Sequence, residues 1–401
     1  MNRLFTNSST LKVMRREFSR ISQRKAYYTL MVLVPLVVFF LMFYIYRDKV
    51  VIDIPVGVVD LDNSELSRTI VRAVESTRSM KIAEVLSTVD EIEDGMRRGT
   101  IQGAFYIPGG LEKDIKNGKS ATIVVYKNSA NLIIGNLILK DASTISQTIS
   151  AGILMKRLES RGLPPGRAMA LANPIRIDSH SLYNPGYNYA DFLPPGIVMV
   201  LLQMLIMVLA VTIINEEINE GTLMELFQTA GNKVSAVLFG KALAHMAIHT
   251  ATGLGVLGLL FPLFGIAIKG SILLAIPFMV YFIASGFFPG LLVSCLVKNK
   301  FIATDIAAFY NSPAFLFSGY TFPLWAMPSL HYYYAQLLPF THFLNGFLKI
   351  CRYNAPVKDI MPELGALSVF IFVSIVAAVL VLKYRVKPMA PADNVTSGSI
   401  G

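Results

Sequence analysis

Charge is scarce in this chain: 15% of its 401 residues are Asp, Glu, Lys or Arg, against 54% that are hydrophobic. That balance excludes an intrinsically disordered chain and an ordinary cytosolic enzyme. Cysteine is nearly absent, at two residues, which excludes a secreted disulfide scaffold. A phosphate-cradling loop of the form G-x-x-x-x-G-K-[ST] is missing too. The nearest segment, Gly240-Lys241-Ala242, has no glycine five residues earlier and lacks the hydroxyl. Neither internal repeats nor low-complexity tracts occur before the last dozen residues.

What the chain does have is long apolar runs. A bilayer crossing needs roughly 20 apolar residues, and stretches of that kind lie at about 27–46, 193–214, 236–262, 271–297, 306–326 and 364–382. Their continuity does not suit a β-barrel, whose strands alternate. The sequence therefore predicts a polytopic α-helical membrane protein, with six transmembrane helices and an inserted extracytoplasmic α/β domain. The net charge of +10 sits beside the membrane and does not point to nucleic acid. Arg3, Lys12, Arg15, Arg16, Arg20, Arg24 and Lys25 precede the first run against one acid, Glu17. The positive-inside rule then places the N-terminus in the cytoplasm. Six crossings return the C-terminus to the same side, where Lys383, Arg385 and Lys387 agree. The first run is longer than a signal-peptide core and no small-x-small site follows before Arg47, so it is expected to stay as an anchor. On this topology Cys295 and Cys351 lie on opposite sides of the membrane, which disfavours a disulfide between them.

The predicted organisation runs as follows. Residues 1–25 form a cytoplasmic amphipathic elbow helix on the inner leaflet, with Leu11, Met14, Phe18 and Ile21 as its apolar stripe. Residues 26–47 are the first transmembrane helix, and 48–190 the α/β domain. There Pro55–Asp60, Lys81–Leu86, Ile101–Ile107 and Thr122–Tyr126 read as strands. Asn63-Ser64 caps a helix, Val89–Arg98 is a short helix, and Asn131–Arg161 a long one broken by Leu163-Pro164-Pro165-Gly166. Residues 191–387 hold five more transmembrane helices, with an aromatic, proline-broken segment at about 320–360 that suits outer re-entrant helices. Residues 388–401 read as a loose tail.

The most informative segment follows the second run: Glu216, Glu217, Glu220 and Glu225 cluster at the end of a membrane helix. Acids suit a helix C-terminus poorly, and the loop itself offers little positive charge. Leu223, Leu226, Phe227 and Ala230 form an apolar stripe beside them. A short amphipathic helix at about 216–230, ready to dock into a partner's groove, accounts for both features; a solvated acidic loop on lipid headgroups is the alternative.

The pattern Glu217-x-x-Glu220-Gly221-Thr222-Leu223-x-Glu225-x-Phe227, followed by Gly240-Lys241, resembles the coupling-helix region of type-2 ATP-binding-cassette exporter permeases. Val58-Val59-Asp60-Leu61-Asp62-Asn63-Ser64 is similar to the opening of the outer domain in drug-efflux-type members. Tyr183-Asn184-Pro185 with Phe192-Leu193-Pro194-Pro195-Gly196 resembles the entry to their second span. Ser318-Gly319-Tyr320-Thr321-Phe322-Pro323 and Leu338-Pro339-Phe340-Thr341-His342 resemble the end of the fifth span and the outer helices. The chain departs from the pattern at Asn219, where many relatives carry a basic residue, and at Gly231-Asn232, where proline is common.

The resemblance implies a permease subunit of an ATP-driven exporter of hydrophobic or amphipathic, drug-like or lipid-like compounds, in a bacterial inner membrane. Glu216, Glu217, Glu220, Gly221, Thr222, Leu223, Glu225 and Phe227 would dock the ATPase subunits, which bind the ATP and Mg that this chain does not. A second permease copy, identical or paralogous, would pair with it. Relatives of this build often add a periplasmic adaptor and an outer-membrane channel. Facing second and fifth spans would line the substrate path, here with Gln203, Met207, Asn311, Ser312, Phe315 and Ser318; packing against other helices is the alternative for each. A membrane receptor or scaffold using the outer domain, or a lipid- or glycan-modifying enzyme, remain other readings, although His331 and His342 bring no nucleophile-base-acid pattern. No metal site is expected. His245 and His249 stand i, i+4 without an accompanying acid, which favours a polar helix contact. Asp60-x-Asp62-x-Ser64 lacks the glycine of a calcium loop and reads better as a helix start. Gly253, Gly255 and Gly258 suggest close helix packing, and Asp305 is either interfacial or a proton-relay acid.

Overall fold

The computed structural model describes residues 8–46, 51–172, 182–184, 188–263, 265–266 and 268–386. Arg3, Arg47, Pro185–Tyr187, Lys387 and the tail 388–401 lie outside the described residues. The chain divides into two units, residues 50–182 and the remainder.

The helical unit opens with α1 (Ser9–Gln23) and α2 (Lys25–Ile45), the first of five helices long and apolar enough to cross a membrane. α1 buries Val13, Glu17 and Ile21, spaced i, i+4, i+8 along one face. Of the expected stripe, Ile21 is buried, Leu11 and Met14 are half-buried, and Phe18 is exposed. The helix thus turns one face to its own chain and leaves an adjacent apolar one open.

The α/β unit follows. Its strands β1 (Ile54–Asp60), β2 (Met80–Leu86), β3 (Gly103–Ile107) and β4 (Val124–Lys127) form one sheet in the order β2-β1-β3-β4. β1 runs parallel to β2 and β3, while β3 and β4 are antiparallel. β1 is central, and Val56, Val58 and Val59 are buried, as a strand covered on both faces requires. Its helices are α3 (Glu65–Glu75), α4 (Val89–Arg98), α5 (Leu111–Lys116), α6 (Leu132–Glu159) and α7 (Pro165–Ala172). Ser64 and Ser67 cap α3 reciprocally. Asp60 accepts from the backbone N–H of Asp62 and Asn63 and from the Ser67 hydroxyl. Asp62 accepts from the N–H groups of Gly110 and Glu112 at the start of α5. Both carboxylates therefore stitch helix starts to the sheet.

The chain re-enters the helical unit through α8 (Tyr189–Ala210) and α9 (Ile213–Asn219), which together make the second long apolar span, Ala190–Asn219. α10 (Leu223–Thr229) is the short helix after the acidic turn. α11 (Val234–Leu263) and α12 (Ile272–Leu296) are the third and fourth spans. α13 (Lys300–Asn311) and α14 (Ala314–Phe317) follow, then α15 (Ser329–Gln336), α16 (Pro339–Cys351) and α17 (Met361–Val386), which lies within the last span, Val357–Val386.

The run 306–326 is not one continuous helix. Pro313 has no N–H to donate and interrupts the backbone ladder after Asn311, and Gly319 at φ +86° ends the next short turn. Five helices, not six, are long enough to span among the described residues. α16 is buried: Phe343 stacks on Phe282 with ring centres 3.6 Å apart and lies 5.6 Å from Phe278. Cys295 and Cys351 are free and buried. Gly253 packs against Met279, whereas nothing lies within 4 Å of where a Cβ on Gly255 or Gly258 would stand. Asp305 is exposed.

Candidate functional site

α9 ends in the acid-rich turn, and α1 lies across it with Arg16 and Arg20 one helical turn apart and Arg24 just past its C-terminus. Arg16 grips Glu217 with both terminal nitrogens, at 2.8 and 3.2 Å. Its Nε reaches Glu225 at 3.4 Å. Arg20 meets Glu217 at 2.8 Å and Glu220 at 2.9 Å. Arg24 donates to Glu216 at 2.7 Å and also to Glu220. The acids of the turn are thus neutralised by the N-terminal helix, and the expectation of an uncompensated cluster is corrected. The helix end that disfavours carboxylates is covered by guanidinium groups.

Behind this row lies a buried layer. Lys241 of α11 is 0% exposed and places its Nζ 2.5 Å from Glu17 and 2.8 Å from Glu217. His245, one turn along, faces the other oxygen of Glu17 at 3.0 Å. Tyr27 donates its hydroxyl to Glu216 at 2.5 Å, and Thr222 donates to Glu217. α1 can approach this closely because residue 240 is glycine. A Cβ there would stand 2.5 Å from Val13 Cβ and 2.8 Å from the Thr10 carbonyl. Burial works against an ionised Glu17, but the charge of Lys241 and the hydrogen bond to His245 outweigh it and hold the carboxyl below its ordinary range. Burial likewise opposes Glu220, and Arg24 with Arg20 again wins, so that carboxyl too is lowered.

Leu223, Leu226, Phe227 and Ala230 are all buried in the chain's own core. An open stripe awaiting a partner's groove is therefore corrected: these side chains anchor α10. Gly221 makes the turn into it at φ +71°. The outward face of the segment is Asn219, Glu220, Gly221, Met224, Glu225 and Gln228.

Of the residues expected on a substrate path, three meet. Gln203 of α8 donates to Asn311 of α13 at 2.8 Å, and the Asn311 amide contacts Met207 Sδ at 3.0 Å and the Ala307 carbonyl at 2.8 Å. This polar seam is closed and buried. Ser318 is buried and donates to the Phe315 carbonyl. Phe315 packs on Tyr320, while Ser312 is exposed. His245 makes the polar helix contact just described, and His249 is buried with neither ring nitrogen hydrogen-bonded. No group of three metal-ligating side chains occurs among the described residues. Glu17 and Lys241 were not singled out from sequence as site residues. Their signal was a lone acid among seven bases and a lysine inside an apolar run.

Comparison with known proteins bears on this arrangement. Residues 25–380 match the model of the family described as ABC-2 family transporter protein. ABC transporter G family member 20 of Dictyostelium discoideum is 23% identical over 304 residues, 73% of this chain and 39% of that protein. The chain therefore spans about two fifths of that relative's length. The probable multidrug ABC transporter permease YbhS of Escherichia coli K12 is 23% identical over 267 residues, 66% of this chain and 67% of its own length. With five membrane-length apolar helices and a family match over most of its length, this helical membrane protein belongs to the ABC-2 family of transporter proteins.

Proposed function

We propose that the chain is the permease subunit of an ATP-driven exporter that moves hydrophobic or amphipathic compounds out of the cytoplasm or inner leaflet, with ATP and Mg bound by separate ABC ATPase subunits. One observation carries this reading. α10 is rooted in the chain by Leu223, Leu226 and Phe227 and by the ion pairs of α9 with α1 and α11, while it presents Met224, Glu225 and Gln228 outward. A lever needs both ends: a face for the moving subunit and a rigid connection to the membrane helices. Three spans, α2 through Tyr27, α8–α9 and α11 through Lys241, converge on the acids of this one turn.

In this reading the acidic turn and both termini are cytoplasmic in a bacterial inner membrane, and the broken pair α13–α14 supplies a sixth crossing. The α/β unit stands on the outer side, where an adaptor and an outer-membrane channel would find it. Two permease copies face each other across α8, α13 and α14. There the exposed Phe309, Ser312 and Leu316 border the path, with Phe315 and Ser318 behind them and the Gln203–Met207–Asn311 seam keeping the two helices in register.

The test is co-purification from the native membrane. An ABC ATPase subunit is expected to accompany the wild-type chain in comparable amount, and to be lost from a Met224→Asp, Glu225→Arg variant that still inserts and folds. Unchanged co-purification of that variant counts against the docking face. Glu220→Arg is a poorer probe, because it breaks two pairs, with Arg20 and Arg24, where Glu225→Arg gives up only the 3.4 Å contact with Arg16.

A further inference from the structure

The α/β unit holds two adjoining hollows. One, of about 360 Å3, lies between the sheet and α6 and is walled by Ile70, Phe105, Ile123, Ile145, Ile149 and Ile153. The other, of about 450 Å3, shares Leu66, Ile115, Ile149 and Ile153 with it. Their origin is a mismatch of lengths. α6 has 28 residues and so runs roughly 42 Å at 1.5 Å per residue. β4, the edge strand beside it, has 4 residues and covers roughly 13 Å. Leu137, Ile138 and Ala142 pack against the sheet and are buried. Past Ile145 the helix reaches the end of the sheet, where Ile149 packs beside Ile107 of β3, Ile70 of α3 and Leu111 of α5, the starts of α3 and α5 being joined through Asp62. Ile149 and Ile153 are left half-buried over the gap.

We propose that these joined hollows bind the aliphatic chain of an amphiphile whose head group carries no net charge. Each volume falls within the ~300–1,000 Å3 typical of ligand sites. The shared wall is branched aliphatic, which suits a hydrocarbon chain better than a planar aromatic or a sugar. Ser143, Ser146 and Ser150 are exposed along one rim and offer hydroxyls to a head group. At the mouth of the second hollow two lysines, Lys116 and Lys156, are balanced by Glu65 and Glu112, and Lys116 already pairs with Glu112 at 3.2 Å. That balance selects against a net anion or a net cation. The site deepens the transport reading by naming the cargo that reaches this unit, but its binding measurement needs no ATPase.

The test uses the full chain in phosphatidylcholine nanodiscs and a lysophosphatidylcholine with a diazirine in its acyl chain. After illumination, adducts are mapped by peptide mass spectrometry. Adducts are expected at Ile115, Ile149 and Ile153, competed by unlabelled lysophosphatidylcholine, and reduced about tenfold or more by Ser146→Trp and by Ile153→Trp. Thr148→Trp, on the opposite face of α6, is expected to leave them intact, and an anionic diazirine fatty acid to label more weakly. Ser146 is exposed, so its variant keeps the fold if Ile153→Trp does not. Adducts confined to the membrane spans, or unchanged in Ser146→Trp, overturn the proposal, as does preferential labelling by the fatty acid. Loss of ATPase co-purification with intact labelling would sink the transport reading alone.

Discussion

Removing Lys241 tests whether the buried layer ties α1 to the acidic turn. Lys241 touches Glu17 at 2.5 Å and Glu217 at 2.8 Å, and all three are essentially out of water. In Lys241→Met, Glu217 keeps Arg16 and Arg20, but Glu17 retains only His245. One buried carboxylate is left nearly uncompensated, a situation that costs about 3–5 kcal/mol. Glu17→Gln leaves Lys241 on Glu217 and takes the carboxylate charge from two contacts, with Lys241 and with His245, so it is expected to cost at least ~1.5–3 kcal/mol. The double variant no longer buries an orphan charge. Its cost is expected to fall short of the sum by about 1.5–3 kcal/mol, well outside the ~0.5 kcal/mol within which independent sites add. The assay is reversible unfolding of the full chain in mixed micelles, run beside protease cleavage within α1. Additive costs, with α1 equally protected in every variant, would refute the coupling.

Four further outcomes follow from the geometry. Gly240→Val drives a side chain into Val13 and the Thr10 carbonyl, so α1 is expected to become protease-sensitive while the spans stay inserted; protection at the wild-type level would contradict this. Phe227→Ala removes a side chain that is 2% exposed and is expected to cost about 3–5 kcal/mol. Met224→Ala, on the outward face of the same helix, should stay within ~0.5 kcal/mol, and equal costs would show that the two faces are misassigned. Glu17 and Glu220 are held below their ordinary value of 4.5, so their contribution is complete above that pH and is lost as pH falls through the depressed folded values. Cleavage in α1 should thus stay constant from neutral pH down to about 4.5 and rise only below it. Asp62→Ala takes the acceptor from the Gly110 and Glu112 amides and is expected to lower stability by about 0.5–2 kcal/mol, seen as increased hydrogen exchange at the start of α5.

Local pattern made much of the fold legible. The strand runs Pro55–Asp60 and Lys81–Leu86 and the helix Val89–Arg98 coincide with β1, β2 and α4, because apolar runs bounded by turn residues and caps are set by neighbours in sequence. The break in the fifth run has a sequence signal in Pro313, which a reading by length and hydropathy alone does not use. The acidic turn stood out, whereas its partners did not. Arg16 and Glu217 are 201 positions apart, and no periodicity encodes a pairing over that distance. Similarly, the stripe Leu223, Leu226 and Phe227 revealed that one face of α10 is covered but not by what. Gly240-Lys241 fails as a phosphate loop and enters the sequence reading only as part of the coupling-helix resemblance. That glycine instead makes room for α1, a reason visible only once two helices are placed side by side.

In the proposed exporter the outward face of α10 receives the motion of an ATPase. A photo-crosslinking amino acid at Met224, with illumination of the native membrane, reads that contact out. An adduct to an ABC ATPase subunit is expected, and none when the crosslinker is placed at Val85, an exposed residue of β2. Adducts to lipid alone, with the chain intact and inserted, would contradict it.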